Sequence, residues 1–234
     1  MSAIFRRELH SYMHGVLGPS LIALLLLAAG VLSGVYNVLL ASPRFETVLS
    51  LMQLLLLFVI PLLAMRAAVG QKRDRAERFL FSLPLPTCAI VLGKYFASLA
   101  VFGLACGVMA LYLPVLSLFG LTALSSAYTA LLGFFLLGAA LLSVCMLLSS
   151  LTESPFVALL VSMGGTVLLY VMGLLSEKAT LGAVWSGVLG AISPFACFTG
   201  MCNGVFDLTT VLYDLLLSAL ALCLSCLAAR RRLR

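Results

Sequence analysis

Residues 48–86 read VLSLMQLLLLFVIPLLAMRAAVGQKRDRAERFLFSLPLP. From Val48 to Val69 the run is apolar apart from Ser50, Gln53 and Arg66, long enough for the roughly 20 helical residues that cross a bilayer. Directly behind it stand Lys72, Arg73, Asp74, Arg75, Glu77 and Arg78, in a chain that is only 9% charged and 63% apolar. An apolar run that ends in concentrated charge is a membrane span leaving the bilayer, and the rest of the chain repeats the theme.

The mean hydropathy is +1.21 over 234 residues, more than a water-soluble core requires. Apolar stretches fall at 17–41, 48–69, 95–119, 126–151, 155–175 and 207–229, which predicts six spans. The first follows arginines, as a signal peptide would. It is about twice the length of a usual apolar h-region and no small-residue cleavage site follows, so it is expected to be retained.

Cation placement sets the expected orientation. With the N-terminus inside, Arg6, Arg7, Arg66, the 72–78 cluster, Lys94, Arg230, Arg231, Arg232 and Arg234 all fall on the cytoplasmic side. Of the 14 Lys and Arg residues only Arg44 and Lys178 fall outside, a bias that places both termini in the cytoplasm. Topology and anionic lipid headgroups then account for the net charge of +6, and no nucleic-acid partner is called for.

Two cytoplasmic segments carry further pattern. Gln71 to Phe81 reads as a short charged helix stopped by Pro84 and Pro86, with Phe79, Leu80 and Phe81 able to meet the membrane interface. Near the N-terminus Ile4, Phe5, Leu9, Tyr12, Met13 and Val16 recur at helical spacing opposite Arg6, Arg7, His10, Ser11 and His14. That segment reads as an amphipathic helix on the inner leaflet, ahead of a turn at Gly18-Pro19.

Several residue groups then carry a family likeness. They are RREL (6–9) with Ser11-Tyr12, Met65-Arg66, Lys72-Arg73, LPLP (83–86), IVLGKYFASL (90–99), ISPFACFTGMCNGVFD (192–207) and the basic tail. In this order the chain resembles permease subunits of ABC-2 type transporters, especially the gliding-motility type. It departs from them at Gly70-Gln71, where a glutamate pair is usual, and at residues 75–80, where Arg78 takes the acidic position.

The resemblance implies an all-α integral membrane fold forming one permease domain over 1–234. It comprises an interfacial helix at 1–16, spans 1 and 2 over 17–69, a cytoplasmic coupling loop at 70–87 and spans 3 to 5 over 88–175. An outer re-entrant segment at 176–206, then span 6 with its basic tail at 207–234, complete the chain. It also implies docking of Lys72, Arg73, Asp74, Arg75, Glu77 and Arg78, flanked by Arg6 and Arg7, onto a separate ABC ATPase that holds ATP and Mg. A second permease copy or a related permease, membrane lipids and a prokaryotic plasma membrane complete the implied setting. The departures suggest a dedicated, divergent ATPase.

Polar residues within spans point to a pathway, because lipid tolerates them only where they face protein or water. Asn37, Gln53 and Asp214 are the candidates for a transport path or subunit contact, with Asp207 as the expected N-cap of the last span. Gly30-x-x-x-Gly34 in span 1 and Gly103-x-x-x-Gly107 in span 3 permit close helix approach, Gly30 and Gly34 being candidates for dimer packing. Residues 176–206 are too rich in Gly, Ser and Pro to span, yet too apolar for a free loop. A re-entrant hairpin turning near Gly190 to Pro194, with Trp185 at the interface, accommodates both facts.

The chain has no G-x-x-x-x-G-K-[ST] signature; Gly93-Lys94 is followed by Tyr95. There is no G-x-S-x-G motif and no acid pair within the spans, so enzymatic chemistry is not expected. His10 and His14 share a helical face without a third ligand, and Cys223-x-x-Cys226 lies inside a span, so neither predicts a metal or redox site. Cys197 and Cys202 on the outer side could pair where that compartment oxidises. A non-transporting membrane partner, an immunity or scaffold subunit, and a haem-exporter-like permease stay open beside the exporter.

Overall fold

The computed structural model describes residues 2–39, 45–73, 87–118, 124–152, 154–177, 190, 192–202 and 206–232. These residues form helices and the turns between them. The helices are α1 (Ser2–His14), α2 (Leu17–Ser33) continued by a π-helical stretch (Gly34–Leu39), α3 (Phe45–Arg73), α4 (Thr87–Leu118), α5 (Leu124–Leu151), α6 (Pro155–Glu177), α7 (Pro194–Cys202) and α8 (Leu208–Arg232). Six of them, α2 to α6 and α8, are long and apolar enough to cross a membrane.

Two boundaries differ from the sequence reading. Helix α4 begins at Thr87, well before the apolar run expected at 95, because Cys88 to Leu92 are apolar too and Lys94, the one charge between, is buried. Helix α3 continues through Gln71 to Arg73, so the charged segment starts as an extension of span 2. Residues 74–86, with the rest of the expected coupling helix, lie outside the described residues, as do 178–189 of the expected hairpin.

Small residues decide which helix is central. Helix α5 carries Ala127, Ala130, Gly133, Gly138, Ala139, Ala140 and Ser143 among its buried positions, and small side chains let neighbouring backbones approach. It packs against α3, α4, α6, α7 and α8. Of its span 67% lies inside the protein, against 22% for α6 and 28% for α2 and α8, which therefore form the periphery. At the α4–α5 contact the Phe102 ring fills the space where a Cβ on Gly138 would stand. The Phe102 and Phe134 ring centroids are 5.9 Å apart.

Among the described residues two prolines, Pro61 and Pro114, lie in helix interiors, and each frees the carbonyl four residues earlier. Pro61 frees Leu57 O, to which the Thr166 hydroxyl of α6 donates at 3.4 Å. That hydroxyl also donates to Met163 O at 2.9 Å, so Leu57 takes the longer arm of a shared proton. Pro114 frees Ala110 O, which accepts from the Tyr128 hydroxyl of α5 at 3.3 Å. In an apolar medium such partners are what make a proline tolerable within a span.

Other hydroxyls tie the bundle across helices. Tyr12 of α1 donates to Leu63 O of α3 at 3.3 Å, and Tyr95 of α4 to Ala139 O of α5 at 3.2 Å. Ser193 donates to Leu169 O of α6 at 2.9 Å, and Tyr213 of α8 to Ile192 O at 2.6 Å, which anchors the start of α7. Helix α7 buries Pro194, Phe195, Phe198 and Met201 against the bundle, so this short segment is sheltered by protein.

Candidate functional site

Helix α8 begins as the sequence predicts. The Thr209 N–H donates to Asp207 Oδ1 at 2.9 Å, and Thr210 Oγ1 reaches Asp207 Oδ2 at 3.5 Å, which satisfies an otherwise unpaired helix-start donor. Hydrogen bonds from Thr209 hold this exposed carboxyl below the ordinary carboxylate range. From this cap the helix carries Thr210, Asp214, Ser218 and Ser225 on its inward face, all buried. Spacings of four, four and seven residues place them on one stripe.

Asp214 is 2% exposed, and its Oδ1 finds no hydrogen-bond partner among the described residues. One turn further on, Ser218 meets the Tyr95 hydroxyl of α4. Tyr95 and the stripe were not singled out from sequence as parts of a site. Polar residues recurring at spacings of four and seven within an apolar run are the signal that could have found the stripe. Lys94, read as one of the cytoplasmic cations, is buried at 1% exposure.

The other polar candidates are not gathered around Asp214. Gln53 lies on α3, where its Oε1 is buried and also lacks a hydrogen-bond partner among the described residues. Helices α3 and α8 both pack on α5 and do not touch each other among the described residues, so Gln53 and Asp214 belong to separate surroundings. Asn37 falls in the π-helical stretch that ends the first span. Such stretches are uncommon and are often found at functional positions.

On α2 and its π-helical continuation the side chains of Leu24, Leu27, Val31 and Val35 point out of the bundle. Gly30 and Gly34 share that surface, and a Cβ built on either would meet nothing within 4 Å. A shallow apolar face remains, open to lipid or to another protein. Arg6 and Arg7 are exposed on α1, whose Tyr12 is buried against the bundle and whose Phe5 and Leu9 pack beside it. Lys72 and Arg73 end α3, while Asp74, Arg75, Glu77 and Arg78 lie outside the described residues.

Cys197 and Cys202 are free and occupy one short helix, α7. Burial raises both thiols above the ordinary range, Cys202 to about 12, so both are protonated at neutral pH. His10 and His14 stack on α1 with ring centroids 3.8 Å apart.

A groove of about 800 Å³ runs along the outside of α4, open to the surroundings. Phe96 to Leu111 of α4 form its floor, and Phe5 of α1 and Phe135 of α5 its sides. Gly103 and Gly107 lie in its floor. The second small-residue motif of the sequence thus shapes a groove.

These helices define a polytopic, all-helical membrane protein. The sequence profile of the ABC-2 family transporter proteins matches residues 16–229, and the chain belongs to that family. It is accordingly an ABC-2 type permease, a membrane component of a transporter. Among curated proteins no sequence matches the chain.

Proposed function

We propose that this chain is the membrane-spanning subunit of an exporter, driven by ATP that a separate cytoplasmic ABC ATPase hydrolyses with Mg. The observation that carries the reading is the family match over residues 16–229, on a chain whose charge is concentrated between its second and third spans. Both termini are cytoplasmic, following the distribution of Lys and Arg, and the family likeness supports a prokaryotic plasma membrane.

In this reading residues 72–78 form the coupling element. Ion pairs from Lys72, Arg73, Asp74, Arg75, Glu77 and Arg78 set the register on the ATPase, with Arg6 and Arg7 beside them. Closure of two ATPases displaces this element in each of two permeases, which pair through the open α2 face at Gly30 and Gly34. The outer segment around α7 re-enters the membrane and borders the exit. Asn37, Gln53 and Asp214 are intramembrane polar groups that substrate meets at successive stages.

The test is affinity purification from membranes in mild detergent, comparing the wild type with a variant carrying Arg73→Glu, Arg75→Glu and Arg78→Glu. The wild type is expected to retain an ATP-hydrolysing subunit, and the variant to insert normally and lose it. A wild-type complex without ATPase, under conditions that preserve membrane assemblies, overturns the proposal.

A further inference from the structure

We propose that Cys88 and Cys226 form a redox-sensitive thiol pair, which a peroxide oxidises to a disulfide tying the start of α4 to the end of α8. The bond itself requires only the packing of these two helices. Its consequence for transport rests on the function proposed above.

Packing brings the two sulfurs together. The Cys226 thiol hydrogen-bonds with that of Cys88 where α4 and α8 pack. The contact between Tyr95 and Ser218 fixes the same register independently. Seven residues back along α4 from Tyr95 stands Cys88, and eight residues on along α8 from Ser218 stands Cys226. At the helical rise these steps are about 10 and 12 Å, and they run in opposite senses along the chain, as antiparallel neighbours require. Read from sequence, Cys223-x-x-Cys226 carried no redox expectation, because its partner Cys88 comes from a different span.

Position divides the labour between them. Cys88 is exposed and opens its candidate span, while Cys226 is buried two residues before Ala228 closes its own. Both therefore stand at one face of the membrane, one sulfur open to a small oxidant and the other sheltered beside it. Cys106 and Cys145 are buried in the bundle, and Cys197 and Cys202 share α7. Cys223, three residues before Cys226, is exposed and is the competing partner.

The oxidation takes two steps. The Cys88 sulfur accepts one oxygen of hydrogen peroxide as the O–O bond breaks, forming a sulfenic acid, and the thiol proton leaves with the other oxygen as water. The Cys226 sulfur then attacks the Cys88 sulfur, the S–O bond breaks, and the hydroxyl departs with the Cys226 proton as a second water. Two thiols lose two electrons and the peroxide gains them. A dithiol reductant undoes the bond by exchange. On the topology expected from Lys and Arg this face is cytoplasmic, where disulfides are transient and serve sensing. Helix α4 follows the segment that carries Lys72 to Arg78, so a bridge at Cys88 restrains the coupling element and peroxide halts ATP-driven export.

The experiment treats membranes holding the full chain and its ATPase with hydrogen peroxide, caps free thiols with N-ethylmaleimide and identifies linked peptides by mass spectrometry. Untreated wild type is expected to carry both thiols free. After peroxide most of the chain is expected to hold a disulfide between Cys88 and Cys226, which dithiothreitol removes; Cys223→Ser keeps it and Cys88→Ser lacks it. ATP hydrolysis by the purified complex is expected to fall several-fold with the bond, recover on reduction and hold steady in peroxide-treated Cys88→Ser.

Capped Cys88 after peroxide, or oxidised Cys88 with no bond to Cys226, overturns the pair. So does a bond to Cys223, or a disulfide already complete in untreated membranes. A bridge that leaves hydrolysis unchanged, or an equal fall in Cys88→Ser, overturns the regulatory effect. If no ATPase accompanies a chain that still forms the disulfide, the transporter reading fails and the thiol pair stands.

Discussion

Tyr128 and Thr166 show how single side chains make a kinked span affordable in lipid. Each donates toward a carbonyl that a proline four residues on has freed, Ala110 O before Pro114 and Leu57 O before Pro61. Inter-helix hydrogen bonds within membranes average about 0.6 kcal/mol, since the unfolded chain finds partners too. Tyr128→Phe should therefore lower unfolding stability by about 0.6 kcal/mol in a detergent-unfolding series. A loss of several kcal/mol would mean that Tyr128 holds more than this carbonyl. Asp214 presents the opposite situation, a buried carboxyl with an unpartnered oxygen among the described residues. Burying a carboxyl oxygen without a hydrogen-bond partner costs free energy, and an apolar side chain of similar size removes that cost. Asp214→Leu is accordingly expected to insert and melt no lower than the wild type, while substrate-stimulated ATP hydrolysis by the complex falls several-fold. Unchanged stimulation would remove Asp214 from the transport path, and a large loss of stability would make it a structural residue.

The glycines of two helices behave differently because their surroundings differ. On α5 a Cβ at Gly138 would run into the Phe102 ring, so Gly138→Leu must push α4 away or force Phe102 off its rotamer. Overpacking of this kind costs about 1–3 kcal/mol. In the π-helical continuation of α2 Gly34 meets nothing, so Gly34→Leu should leave the subunit as stable as the wild type. If that face joins two permeases, the same substitution abolishes cross-linking between copies carrying cysteine at Val31, an exposed neighbour. Thermal melting and cross-linking of both variants separate the two roles. A stable Gly138→Leu would contradict the close α4–α5 contact, and a fully cross-linked Gly34→Leu would remove α2 from the subunit interface.

Across the whole molecule, the spans, the charge asymmetry and the Asp207 cap were legible in the sequence, because each depends on neighbours along the chain. A bilayer asks of a span only that it be long and apolar, and a cap asks only for a carboxylate two residues before a helical N–H. Candidate site residues were legible one at a time, as polar groups in apolar runs, but their grouping was not. The candidate spans have mean hydropathies between 2.0 and 2.6, too alike to say which is enclosed. Only the tertiary structure placed α5 at the centre, separated Gln53 from Asp214, brought Tyr95 to Ser218 and turned Gly103 and Gly107 into a groove. These features rest on contacts between residues far apart in sequence, such as Thr166 and Leu57. Within lipid such contacts arise from shape and hydrogen-bonding fit between helices, which apolarity, nearly uniform along this chain, does not encode.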